Sequence, residues 1–235
     1  MAKEPDVIKY IRETRSRDIS GNYNHYNFKL AEDSEILLSE ACYERLMQIT
    51  NISALHTDEH NSILYGIERN QNQIYFSLPD ESRDYVPSPQ SVSHGENQLA
   101  EIDNKIRRSP DDKTLIVCNL HTHPYGILKN TDGSPSLQHN FISGTDINAG
   151  TNFRQHVKSL GEKYAKKVDA VDGLIAIDNE NGNSMISFVW YADDKHYRFN
   201  NVKVVESMPN GQFKVIKDLH KDGFDYIERN FGMEQ

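Results

Sequence analysis

The segment His121-Thr122-His123-Pro124 places two imidazoles two residues apart, where an apolar run from Thr114 to Leu120 passes into a loop. Side chains alternate along an extended chain, so both rings lie on one side and can reach a single metal ion. A catalytic zinc commonly takes three protein ligands and leaves one position for water. Downstream, Ser143-Gly144-Thr145-Asp146 opens what reads as a helix. It offers a carboxylate on a rigid element and a hydroxyl about one turn before it. Two histidines and one carboxylate make a zinc site, with His121, His123 and Asp146 as the ligands. Zinc lowers the pKa of a water toward about 7, yet a base must still take the proton. Glu59 stands directly before the strand in Glu59-His60-Asn61-Ser62-Ile63-Leu64-Tyr65-Gly66 and is the candidate. Unliganded beside the metal, it would accept the proton and then deliver it to a leaving amine. Ser143 would donate a hydrogen bond to the oxyanion.

Other readings of these residues stay open. Ser136 follows Pro135, so Ser136 and His139 form a rival SxxH register that can stand in for Ser143 and Asp146. The helical pattern after Asp146, and the loop-like character of the residues before Phe141, favour Asp146. Ser, Thr and Asp at a helix start also satisfy free backbone N–H groups, and capping does not exclude ligation. Glu68 competes with Glu59 but lies at the far end of the same strand. His56 and His60 are expected to face solvent, and Phe188, Trp190 and Tyr191 to pack a strand. Cys42 and Cys118 are expected to be small buried hydrophobes, too few for a disulfide framework or a thiolate zinc site.

A glutamate upstream, an HxHP segment and then SxxD, in this order, resemble the signature of the JAMM, or MPN+, metalloprotease family. The resemblance covers roughly residues 36 to 190. It implies zinc on His121, His123 and Asp146, Glu59 as acid and base, and Ser143 as oxyanion donor. It also implies cleavage of an isopeptide or peptide bond after the C-terminal tail of ubiquitin or a ubiquitin-like protein; some prokaryotic relatives act on small sulfur carriers of that fold. One departure is the stretch from Pro124 to Ile142, which is longer than the link in familiar members and is placed to act as a lid or to grip substrate. Three rivals follow. One is the same fold as a non-catalytic scaffold or binding module, which normally lacks one or more ligands. Another is a RadC-like protein of DNA metabolism, sharing HxHP followed by a Pro-Ser pair. The third is a metal hydrolase of small amides.

The elements that must position these groups read as a mixed α/β chain. Cys42, Leu46, Ile49 and Ile52 recur at helical spacing behind Ser39, a plausible N-terminal signal. Apolar runs at 62–67 and 73–78, separated by a polar turn, suit a hairpin. Residues 79–95, with three prolines, read as a long surface loop that is either a connector or a substrate contact. Helices are expected near 96–108 and 145–166, a buried strand over 114–120, and further strands at 173–178, 185–192 and 197–206. A short helix near 5–14 and an edge strand at 22–28 belong to an N-terminal extension. The expected organisation is an extension over 1–35, one MPN/JAMM-like catalytic domain over 36–205 with a central mixed sheet flanked by helices, and a C-terminal extension over 206–235.

Composition bounds the partners. The 235 residues carry 35 acids against 26 bases, a formal charge of −9. A duplex binder needs a positive footprint, so nucleic acid is not expected as a partner. No apolar run approaches the roughly 20 residues that span a bilayer, and residues 1–20 lack the apolar centre of a secretory signal. The expected compartment is the cytoplasm. The acidic balance suits a basic peptide or protein partner, while also being common among cytoplasmic proteins.

Overall fold

Runs of Val, Ile and aromatic residues at period two become strands, and the longer periodic segments become helices. This is a computed structural model, and it describes residues 16–18, 28–56, 58–70, 72–82, 84–88, 91–124, 144–178, 183–191, 196–221 and 224–228. In chain order come β1 (Ser16–Asp18), β2 (Phe28–Ser39), α1 (Glu40–His56), β3 (Asn61–Asn70) and β4 (Gln73–Pro79). Then follow β5 (Tyr85–Ser88), β6 (Ser91–His94), α2 (Glu96–Arg107), β7 (Leu115–His123) and α3 (Gly144–Tyr164). The chain continues through β8 (Val168–Asp178), β9 (Asn183–Tyr191), β10 (His196–Ser207), β11 (Phe213–Asp218), β12 (His220–Lys221) and β13 (Phe224–Glu228).

One eleven-stranded mixed sheet contains every strand except β5 and β6. Its order is β11-β10-β2-β4-β3-β7-β8-β9-β13-β12, with β1 on β2. β10 runs parallel to β2 and antiparallel to β9, so the sheet curls until strands far apart in that order meet. The fold is therefore mixed α/β, as expected. β2 crosses residue 36 within this sheet, and β11, β12 and β13 extend it beyond residue 206.

Both faces of the central strands are covered, which explains their almost unbroken apolar runs. On one face Cys42, Leu46 and Ile49 of α1 pack with Leu64, Phe76, Cys118, Leu120 and Trp190. Ser39 caps this helix, its Oγ accepting from the Cys42 N–H at 3.2 Å. Burial pushes the Cys42 thiol up to about 12, so it is an inert hydrophobe and no thiolate. On the other face Ile102 and Ile106 of α2, and Phe153, Val157 and Leu160 of α3, cover Ile63, Tyr65, Val117 and Ala170. Each such side chain contributes on the order of 1.5–3 kcal/mol on burial.

Two expectations change. The 79–95 stretch carries a small antiparallel sheet, with Tyr85 opposite His94 and Ser88 opposite Ser91. The strand ending in the histidine segment extends through His123, because Leu174, Ile175 and Ala176 of β8 continue to pair with it. The helix read near 5–14, residues 22–27 and the 125–142 insertion lie outside the described residues. Among the described residues, no helix is long and apolar enough to cross a membrane.

Candidate metal centre

Period two divides the side chains of β7 between the two faces of the sheet. Ile116, Cys118, Leu120 and Thr122 turn toward α1, and Val117, Asn119, His121 and His123 toward α2 and α3. The imidazoles of His121 and His123 consequently stand side by side, their ring centroids 5.0 Å apart. Asn61 pairs with His121 across the antiparallel β3. Carried two residues further, that register sets Glu59 opposite His123 and on the same face.

Thr122 ties these pieces together from beneath. Its Oγ accepts from the His60 N–H at 2.8 Å and donates to Ser53 Oγ at 2.8 Å. Ser53 in turn donates to the Asp58 carbonyl at 2.7 Å, and the Thr122 N–H donates to the His60 carbonyl at 2.9 Å. The end of α1 and the residues flanking Glu59 are thereby fixed to the strand bearing the two histidines.

Asp146 comes from the first turn of α3, where the helix dipole favours a carboxylate. Its two oxygens lie 3.7 Å from His121 Nε2 and 3.7 Å from His123 Nε2. Those separations are too long for hydrogen bonds. They approach the roughly 3.3 Å ligand–ligand edge of a tetrahedron built on bonds of about 2.05 Å. One ligand atom from each of the three residues falls within 4.8 Å of the others. Burial pushes the His121 imidazole down, toward the neutral form a metal requires. Burial alone would raise the Asp146 carboxyl, but the two imidazoles outweigh it and hold the group below its ordinary range. The His121–His123–Asp146 group can hold a metal ion, and the buried His121 Nε2 has no hydrogen-bond partner among the described residues.

Glu59 is 7% exposed rather than a solvated surface acid. Burial pushes its carboxyl up to about 7, Asp146 adding to the rise and His123 opposing it. It borders the same cavity as His121 and Asp146 without belonging to the ligand triad. Glu68 stays near the opposite end of β3, where its N–H donates to the Thr114 carbonyl. His56 is exposed as expected, but His60 is buried, contrary to the solvent-facing reading. The β5–β6 hairpin covers it, and Tyr85 OH lies 2.8 Å from His60 Nδ1. Ser143, and the rival pair Ser136 and His139, lie outside the described residues.

A cavity of about 470 Å³ opens from Glu59, His121 and Asp146. Its other borders include Asn119, Asp172, His94 and His156, which the sequence reading passed over. A signal existed for two of them: Asn119 and Asp172 are polar residues flanked by apolar ones within strand runs, and Asn119 shares the period-two face of the two histidines. They are register partners on β7 and β8. Burial drives the Asp172 carboxyl well above its usual range, with Asn119 opposing and Asp146 adding to the rise. Compared with known proteins, the chain matches no family model and no curated sequence.

Proposed function

We propose that the chain is a zinc-dependent isopeptidase or peptidase of JAMM/MPN+ type, with an MPN-like fold, cleaving after the C-terminal tail of ubiquitin or a ubiquitin-like protein. The observation that carries this reading is the convergence, from three separated stretches, of His121, His123 and Asp146 into one ligand group and of Glu59 onto the cavity that His121 and Asp146 also line. A zinc ion held by the two imidazoles and the carboxylate would supply Lewis acidity, acidifying a water and polarising the scissile carbonyl. Glu59 takes a proton from the attacking water and returns it to the leaving nitrogen, a role suited to a carboxyl lifted toward neutrality. Ser143, close before Asp146 in sequence, is assigned the oxyanion hydrogen bond on the family resemblance alone.

A scaffold of this kind normally lacks one or more ligands, and a candidate for each is present here. A test incubates zinc-loaded protein with a panel of ubiquitin-like fusions, with and without chelator, and identifies products by mass. Chelator-sensitive cleavage directly after the tail is expected. Zinc-loaded protein that leaves every fusion intact would return the chain to the scaffold reading.

A further inference from the structure

The cavity beside the metal centre is larger than a water-activating site needs, and acceptors cluster on the part of its wall formed by His94, Asn119 and Asp172. His94 is held by a buried relay. Asp80 Oδ2 accepts from Gln98 Nε2 at 2.7 Å, which turns Gln98 Oε1 to within 2.6 Å of His94 Nδ1. An acceptor at that separation requires the proton on Nδ1, leaving the lone pair on Nε2. Asn61 Nδ2, 3.1 Å from the same Nδ1 and 3.5 Å from Gln98 Oε1, brackets the relay. Asn119 is the register partner of Asp172, and its Oδ1 is buried with no hydrogen-bond partner among the described residues. An orphaned buried oxygen calls for an explanation. Between these acceptors lie apolar surfaces: Val92, Leu99, Ala149 and the Phe153 ring, on which His94 packs at a centroid distance of 5.3 Å. No lysine or arginine borders the cavity among the described residues.

We propose that this cavity receives a basic side chain, lysine or arginine, from a residue flanking the bond cut at the metal centre. The apolar walls and Phe153 hold its methylene stem, and His94 Nε2, Asn119 Oδ1 and the Asp172 carboxyl accept from its ammonium or guanidinium, the Asp172 carboxyl releasing its proton to solvent as the cation enters. An uncharged aliphatic side chain would fill the walls but leave the Asn119 oxygen unpaired, which costs affinity. The position beside the scissile bond rests on the hydrolytic reading; the affinity for a basic group does not.

Binding of n-butylguanidinium and n-butylammonium to the zinc-loaded full chain, against neutral n-butylurea, can be followed by two-dimensional NMR. Both cations are expected to bind at least about tenfold more tightly than the urea, with shifts centred on Asn119 and Phe153. His94→Phe keeps a ring against Phe153, and Asp172→Asn keeps the shape of the carboxyl; each is expected to weaken the cations by about tenfold with zinc content unchanged. Equal binding of urea and cations by the unsubstituted chain overturns the inference, and that comparison requires no variant to fold. Cation binding untouched by both substitutions also overturns it.

Fusions differing only in the residues on either side of the cut then separate the two claims. Cation binding without cleavage of any fusion retains the pocket and removes the peptidase. Equal cleavage of leucine-flanked and arginine- or lysine-flanked fusions retains the peptidase and overturns the assignment of the pocket to a residue flanking the cut.

Discussion

Two imidazoles and a carboxylate can form a hydrogen-bonded cluster or hold a metal ion, and their separations suit the second. The 3.7 Å spacing from Asp146 to each ring is wide for hydrogen bonds and close to a shared-ion geometry. His123→Ala removes one ligand and is expected to reduce zinc to well below one equivalent, read by elemental analysis after dialysis. Glu59→Gln preserves shape but cannot accept a proton. It should retain zinc while cleavage falls by about 100-fold or more, the scale of a lost general base. Retained activity in that variant would reassign the base. The pH dependence has a definite sign. With its carboxyl raised to about 7, Glu59 is protonated below neutrality and a base only above it, so kcat/KM should fall as pH falls through about 7. A profile flat across neutrality would count against Glu59.

Among the elements, α3 delivers Asp146 to the histidines because it lies unusually close to the sheet. The approach is made at Gly150, one turn after Asp146, where a Cβ would collide with Asp172 Oδ2 and the Tyr191 ring. Gly150→Ala should lift this end of the helix. Overpacking of this kind costs about 1–3 kcal/mol, to be read by urea unfolding, and zinc affinity should fall with it. Unchanged zinc affinity would show that docking at Gly150 does not set the position of Asp146. β7 carries the complementary device. Thr122 is fully buried and links the Glu59 segment, α1 and the histidine strand. Thr122→Val keeps the shape but strands the His60 N–H and removes the donor to Ser53 Oγ, at about 1–3 kcal/mol. Stability equal to that of the unsubstituted chain would mean the network re-forms without it.

At the scale of the molecule, a metal ion would join β7 to α3, elements separated in sequence by the whole 124–143 stretch. A ligand that binds only the folded chain stabilises it by about 2.7 kcal/mol at 100 times its Kd. For a chain of this size that corresponds to a rise in Tm of about 5–10 °C, reversed by chelator. A melting curve indifferent to zinc would argue that the triad does not bind it. Local pattern was enough to read the three described helices, the β3–β4 hairpin and the pairing of His121 with His123, because a 3.6 or 2.0 period depends only on neighbours in the chain. Asp146 and Glu59 could be nominated from residue type and position beside those elements. Their convergence could not be read, since it depends on the register of β3 against β7 and on how closely Gly150 lets α3 approach. The curl that brings β10 to both β2 and β9, the burial of His60 beneath the β5–β6 hairpin, and the Asn119–Asp172 pair at the cavity are likewise products of tertiary packing. Each is set by contacts between residues tens of positions apart, where a linear pattern holds no information about which surfaces meet.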